Sequence, residues 1–297
     1  MDESALHPSL RFSAFAALPE ERMRLDEGAL LIAELAYPRL PHAPVLRRLD
    51  ALARDVRAEL AMAPDAMIAP GATGHATAVR VLRALRDVLA GREGFHGNQD
   101  AYFDPHNSFL NDVLDRRTGL PISLGVVYLE VARRLGAPLA GVSLPAHFVV
   151  KWPLPAEEGG DIFLDAFRGA ILDADTCRRF VLRLLAAQHA TALLDARWFA
   201  PVGTRVILTR LLANLKQAYL QAGETARALT VVDRLVVLRP DLPAELRDRG
   251  LLRLALGETL LAAADLATYA SRAPDAPEIH RLQRRLGEIQ EVRAKLN

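Results

Sequence analysis

The sequence predicts an α+β fold, with a small antiparallel sheet against a buried helix. Three observations carry this reading. Apolar residues recur at helical spacing over most of the first 100 positions and again beyond Asp173. Between about 139 and 172 the texture changes to short β-rich runs separated by Pro and Gly. Beyond residue 220 two short motifs recur at one fixed offset. The length of 297 residues suffices for one large domain or two of ordinary size. The organisation read from these signals is a helical N-terminal region over 1–94, an α+β core over 95–195 and helical repeats over 196–297.

In the first region, Leu25 to Ala36, Ala43 to Met62 and His75 to Leu89 each read as helix. Pro38, Pro41, Pro44 and the segment Ala69-Pro70-Gly71 punctuate them. Asp50, Arg54, Arg57 and Glu59 read as a solvated face. Residues 95–107 are rich in turn formers and read as an ordered loop. A helix follows at about 108–117, with Phe109, Leu110, Val113 and Leu114 in one stripe and Asn107 as its cap. Thr118-Gly119 ends it, the glycine being suited to a left-handed C-cap. A second helix starts near Pro121, since proline is tolerated in a first helical turn, and runs to Gly136. It is apolar around most of its circumference, so it should be buried. Leu139 to Ser143, His147 to Trp152, Asp161 to Ala166 and Ala170 to Leu172 read as short antiparallel strands against that helix.

The C-terminal third repeats. Gly223-Glu224-Thr225 recurs as Gly257-Glu258-Thr259, and Pro240-Asp241-Leu242-Pro243 as Pro274-Asp275-Ala276-Pro277. Both offsets are 34 residues, and Ala228 maps to Ala262 under the same shift. A 34-residue helix–turn–helix period is that of the tetratricopeptide repeat. Two such units, with a final helix at about 278–295, would form a short array closed by a polar cap.

Bulk properties exclude several functions. A formal net charge of +1 gives no field for gripping nucleic acid or anionic lipid, so neither is expected as a partner. One cysteine cannot form an internal disulfide, and no Cys/His cluster has zinc spacing, so no metal is expected. No Gly-rich phosphate loop is present, and no cofactor is expected. The N-terminus, Met-Asp-Glu-Ser-Ala-Leu-His, lacks the basic and apolar regions of a signal peptide. No apolar run approaches the ~18 residues of a membrane span. A cytoplasmic location is expected.

The chemistry concentrates between Asn107 and Asp165. Asn107-Ser-Phe-Leu-Asn-Asp-Val-Leu-Asp-Arg-Arg-Thr-Gly-Leu-Pro-Ile-Ser-Leu, then Tyr128-Leu-Glu-Val-Ala-Arg-Arg-Leu-Gly, then Leu144-Pro-Ala-His-Phe-Val-Val, resembles a bacterial, SirB-type branch of the transglutaminase-like superfamily that carries C-terminal tetratricopeptide repeats. The resemblance is dense over roughly 95–175. It implies a papain-like core in which active relatives carry a Cys opening a buried helix, a His beginning a strand and an Asp on the next strand. It places His147 and Asp165 at the second and third positions. A thiolate needs a nearby imidazole to lower its pKa, and the imidazole needs a carboxylate to fix its tautomer.

In active relatives the Cys lies fifteen residues before the helix-ending Gly. Counting back from Gly136 places Pro121 there, and proline has no nucleophile. Ser123 is two residues further on, about 200° around the helix. Three alternatives stand beside a lost nucleophile. Ser123 could act through a shifted helix start, with His147 as base and Asp165 as orienter. Cys177 could fold back onto His147, although Asp-Thr-Cys-Arg-Arg-Phe reads more simply as a helix opening with a core thiol. His147 could be a buried imidazole bonded to Asp165 for packing alone. Pro121, Asn107, His106 and Trp152 are candidate lining residues of the cleft. His96, Asp104, His106 and Asn107 cluster in one loop that could line a pocket or bind a metal, without a defined motif. Glu130, Arg133 and Arg134 read as a solvated or ion-paired edge, and Arg247, Asp248 and Arg249 as a solvated face of the repeats. The expected function is a non-catalytic, regulatory module whose cleft binds a peptide or protein segment and whose repeats dock a partner. The alternative is a hydrolase or acyl transferase using Ser123, His147 and Asp165.

Overall fold

A computed structural model of the chain describes residues 8–62, 74–187, 194–278 and 284. The segment 69–71, the extreme N-terminus and most of the expected final helix lie outside the described residues. The chain divides into two compact units, Pro19–Leu211, and Met1–Leu18 together with Leu212–Asn297.

The first unit opens with α2 (Leu25–Ala33), α3 (His42–Met62) and α4 (His75–Arg86), preceded in the chain by α1 (Pro8–Ala16) of the second unit. The last turn of α4 continues as a π-turn over Asp87–Arg92. Two-residue strands β1 (His96–Gly97) and β2 (Thr118–Gly119) pair in parallel across α5 (Leu110–Arg116). This pairing corrects the expected C-cap. Gly119 is ladder, and Arg117 takes the left-handed backbone at φ 56° that ends α5.

Next come α6 (Pro121–Leu135) and its left-handed cap Gly136, as the sequence predicts. Every α6 residue from Pro121 to Ala132 is buried. The sheet follows: β3 (Ala140–Leu144), β4 (His147–Trp152), β5 (Ile162–Asp165) and β6 (Ala170–Asp173), all antiparallel. A fifth strand, β7 (Pro201–Val202), pairs with β3 at the edge. The order is β6-β5-β4-β3-β7. β7 was not expected, because two residues carry no alternation to read.

β4 lies in the middle and all six of its residues are buried. Side chains alternate between its faces. Phe148 abuts Gly125 of α6, where a Cβ would stand 2.6 Å from the phenyl ring. Val149 packs on the other side with Cys177, Phe180 and Val181 of α7 (Ala174–Ala187). Two helices thus sandwich the sheet, and only a residue without a side chain at 125 lets α6 approach so closely.

α8 (Thr204–Gln221) begins among the residues of the first unit and ends among those of the second. The second unit continues with α9 (Thr225–Leu238), α10 (Pro243–Ala255) and α11 (Thr259–Arg272). The 34-residue offset reappears in three dimensions. α9 and α11 start at Thr225 and Thr259, each after a glycine of positive φ, Gly223 at 73° and Gly257 at 80°. Ala228 and Ala262 are both fully buried. α1 packs within this unit: Phe12 and Phe15 are buried, and the Arg234 guanidinium of α9 stacks 5.3 Å from the Phe12 ring centre.

Candidate functional site

His147 opens β4 immediately after the turn that joins it to β3. Leu144 and His147 are cross-strand partners, so Pro145 and Ala146 make a two-residue connection. Ala146 holds φ 53°, a region that side-chain-bearing residues enter at a cost. The turn aims the imidazole along the side of the sheet covered by α7. Its ring meets Phe180 edge-on at 5.0 Å and Phe167 edge-on at 6.1 Å, centre to centre.

Asp165 ends β5, and its carboxylate is buried. Oδ1 accepts hydrogen bonds from the backbone N–H groups of Phe167 (3.0 Å) and Arg168 (3.3 Å). His147 Nε2 lies 3.0 Å from the same oxygen, at ion-pair distance but not aligned for a hydrogen bond. The Arg168 guanidinium stands 3.7 Å from Oδ2 and stacks over Phe180 at 4.6 Å. The structure therefore brings His147 and Asp165 together. Because Nε2 faces the carboxylate, Nδ1 is the nitrogen a reacting group would have to use.

Tyr128 of α6, which sequence reasoning passed over as core, is near enough to Asp165 to feel its charge. Burial pushes its hydroxyl well above the ordinary phenol range, and the Asp165 charge adds to the shift. Among the described residues, Tyr128 Oη, His147 Nε2 and Asp165 Oδ2 are all buried without a hydrogen-bond partner. Orphaned polar atoms are uncommon in protein interiors, and two of these, on His147 and Asp165, belong to one pair. The available signal was a phenol in a helix otherwise apolar on all sides. Tyr128, Pro121 and Gly125 share one stripe of α6, within about 60° at ~100° per residue. Gly125 faces the sheet.

Ser123 lies elsewhere. Its hydroxyl donates to the Asn107 carbonyl at 2.6 Å and accepts the Leu120 N–H at 2.9 Å. These bonds fasten the first turn of α6 to the loop before α5, and no hydrogen bond joins Ser123 to His147. Cys177 does reach the sheet face shared by His147, but as part of an apolar cluster with Val149, Phe163 and Phe180. Burial pushes its thiol up to about 12, with Asp165 adding to the effect, so it stays protonated at neutral pH.

The candidate lining residues disperse. Asn107 is buried and inward-turned: Nδ2 donates to the carbonyls of Ala101 (2.7 Å) and Tyr102 (3.2 Å), and Oδ1 accepts from Asn98 (3.0 Å). It ties a loop together rather than capping α5, whose N-cap is Phe109. His106 is exposed and held by Asp104 at 2.7 Å, whereas His96 bonds Gly94 O at 2.8 Å. No group of three or more His, Cys, Asp or Glu among the described residues could hold a metal. Trp152 is buried at the far end of β4, five residues or roughly 16 Å from His147. Pro121 is buried at the first position of α6.

Glu130, Arg133 and Arg134, read as a solvated or ion-paired edge, are ion-paired, and residues 247–249, read as a solvated face, are paired as well. Arg134 spans Asp26, Asp50 and Glu130, and Arg133 reaches Asp26 and Glu130. On the repeats Arg247 pairs with Glu278, Asp248 with Lys216, and Arg249 with Asp265.

The family model described as the transglutaminase-like superfamily matches residues 43–213. The chain belongs to this superfamily. A tetratricopeptide-repeat model matches residues 215–287, so the transglutaminase-like unit is followed by the repeats. A UPF0162 protein of Xylella fastidiosa is 34% identical over 286 residues, covering 95% of each chain. A UPF0162 protein of Pseudomonas aeruginosa is 33% identical over 279 residues, covering 94% of this chain and 96% of its own. The human F-box only protein 21 is 38% identical over 142 residues, 46% of this chain and 21% of that protein. Tetratricopeptide repeats generally mediate protein–protein interaction. No helix among the described residues is long and apolar enough to cross a membrane.

Proposed function

We propose that this transglutaminase-like protein, of the SirB type that its sequence resembles, is a non-catalytic binding module. The cleft beside His147 and Asp165 holds a peptide or protein segment, and the repeats dock a regulatory partner. The observation that carries this reading is the Ser123 hydroxyl, whose proton is committed to the Asn107 carbonyl. Pro121, the resemblance-based nucleophile position, supports it, because it shares the stripe of Gly125 and Tyr128 and offers no nucleophile. The inert Cys177 thiol supports it further.

Hydrolysis or acyl transfer through Ser123, His147 and Asp165 is the second reading. It is favoured by the buried His147–Asp165 pair at 3.0 Å, an arrangement suited to orienting a base. Labelling the purified chain with a serine-directed fluorophosphonate separates the two. The binding reading expects no labelling above that of heat-unfolded protein. Stoichiometric labelling that disappears in Ser123→Ala would reverse it.

A further inference from the structure

We infer that Arg210 is a carboxylate-binding site beside the His147 cleft, taking the C-terminal carboxylate or an acidic side chain of a bound polypeptide. This rests on the binding reading above and gives its ligand a chemistry. Arg210 lies on α8, within the same compact unit as the sheet. Its Nη1 donates to Ser143 Oγ at 2.6 Å and to the Leu144 carbonyl at 2.7 Å. Ser143 and Leu144 are the cross-strand partners of Phe148 and His147, so the guanidinium is anchored at the end of β3 that faces the start of β4.

What sets Arg210 apart is partial burial without an anion: among the described residues Arg57, Arg83, Arg179 and Arg272 also pair with no carboxylate, but they are exposed. Among the described residues no carboxylate lies within ion-pair distance of it, whereas the arginines at 24, 48, 92, 134 and 249 each have one. Arg210 is nevertheless half-buried, and burial lowers its pKa from the ordinary guanidinium value. A desolvated cation without a counter-charge is unfavourable, and a bound anion would relieve it. Two bonds from Nη1 fix the plane of the fork and leave Nη2 and Nε to meet two oxygens side by side, the geometry a carboxylate matches.

The surroundings agree. Tyr102 is near enough for its charge state to act on Arg210, and burial keeps its phenol protonated and able to donate. The Tyr102 ring meets Phe167 edge-on at 6.4 Å, and Phe167 meets His147, so an aromatic wall runs from Tyr102 to the imidazole. Asp165 lies 3.0 Å from the His147 imidazole, and the Arg168 guanidinium stands 3.7 Å from the Asp165 carboxylate. Arg168 thus already stands against the Asp165 charge, and among the described residues no carboxylate is paired with Arg210.

The test uses the full chain and NMR of the arginine Nε–Hε and histidine ring signals, with Arg210 assigned by the loss of its resonance in Arg210→Lys. Four probes are titrated: randomised octapeptides lacking Asp and Glu with free C-termini, the same pool amidated, an amidated pool rich in Asp and Glu, and sodium sulfate. The first or third pool should shift both the Arg210 and His147 signals in a saturable way, at least tenfold more tightly than the second. Whichever does so identifies the carboxylate as terminal or side-chain. Arg210→Gln, checked for folding by its melting temperature, should erase that difference. Equal shifts of His147 by all three pools would overturn the carboxylate inference and leave the binding cleft standing. No shift with any pool would overturn both. A response to sulfate alone would mean an adventitious ion only, and would also overturn the inference.

Discussion

A serine hydroxyl acts as a nucleophile only when it can hand its proton to a base, and Ser123 hands its proton to the Asn107 carbonyl. Its role is to lock a helix start. Ser123→Ala should therefore cost about 1–2 kcal/mol, read from urea denaturation, because it strands the Leu120 N–H and the Asn107 carbonyl in a buried site. Ala146 is the opposite case, a side chain held at φ 53°. Ala146→Gly should stabilise the protein by about 1 kcal/mol in the same measurement, since glycine enters that region freely. Cys177, fully buried with its thiol pushed up to about 12, should not react with Ellman's reagent at pH 8 until the protein unfolds. Rapid reaction of the native protein would contradict this placement. The sequence made His147 and Asp165 legible because family resemblance marks them. The bonds of Ser123 were illegible, because a carbonyl acceptor sixteen residues away leaves no trace in the chain.

Among elements, α6 is the axis of the first unit, and its last turns carry an ion-paired network centred on Arg134 and the buried Asp26 and Glu130. Asp26 of α2 is fully buried, where desolvation alone would raise its pKa. Hydrogen bonds from Arg24 and Arg134 outweigh that and hold it at about 2, below its ordinary 3.8. A folded-state value below the unfolded one means that the carboxylate contributes stability above about pH 4. That contribution is lost as the pH falls towards about 2. Its size is on the order of 2 kcal/mol by single-site linkage. Denaturant midpoints measured from pH 5 to pH 2 should show the loss in the natural chain, and Asp26→Asn should flatten that part of the profile. The helical periods of α2, α3, α4 and α6 were readable from sequence alone. The burial of α6 was readable as well, but the partners of its charges were not, because Asp26 and Arg134 are 108 positions apart.

For the whole molecule, the division into two compact units assigns the first eighteen residues to the repeats. Phe12 and Phe15 of α1 are buried there, with Arg234 of α9 stacked on Phe12. Removing residues 1–18 should uncover α9. Hydrogen exchange should then show at least tenfold faster amide exchange over 225–238, with the sheet strands 140–173 unaffected. Equal acceleration in both units would contradict the division. Along the sequence α1 reads as a preface to the first unit, and the chain gives no sign that it belongs with helices more than 200 positions away.

The sequence by itself determined the α+β class, the buried helix from Pro121 to Gly136, the four main strands and the 34-residue repeat. Each of these is written in periodicity or in turn residues, which act over a few positions. The tertiary structure decided everything that depends on distance along the chain. It placed Nε2 of His147 against Asp165, buried the Tyr128 phenol within reach of the Asp165 charge, turned Asn107 and Ser123 inward and bound Arg210 to Ser143 and Leu144 without a paired carboxylate. A side chain's type fixes what it can do, and only its neighbours in space fix which of those things remain open to it.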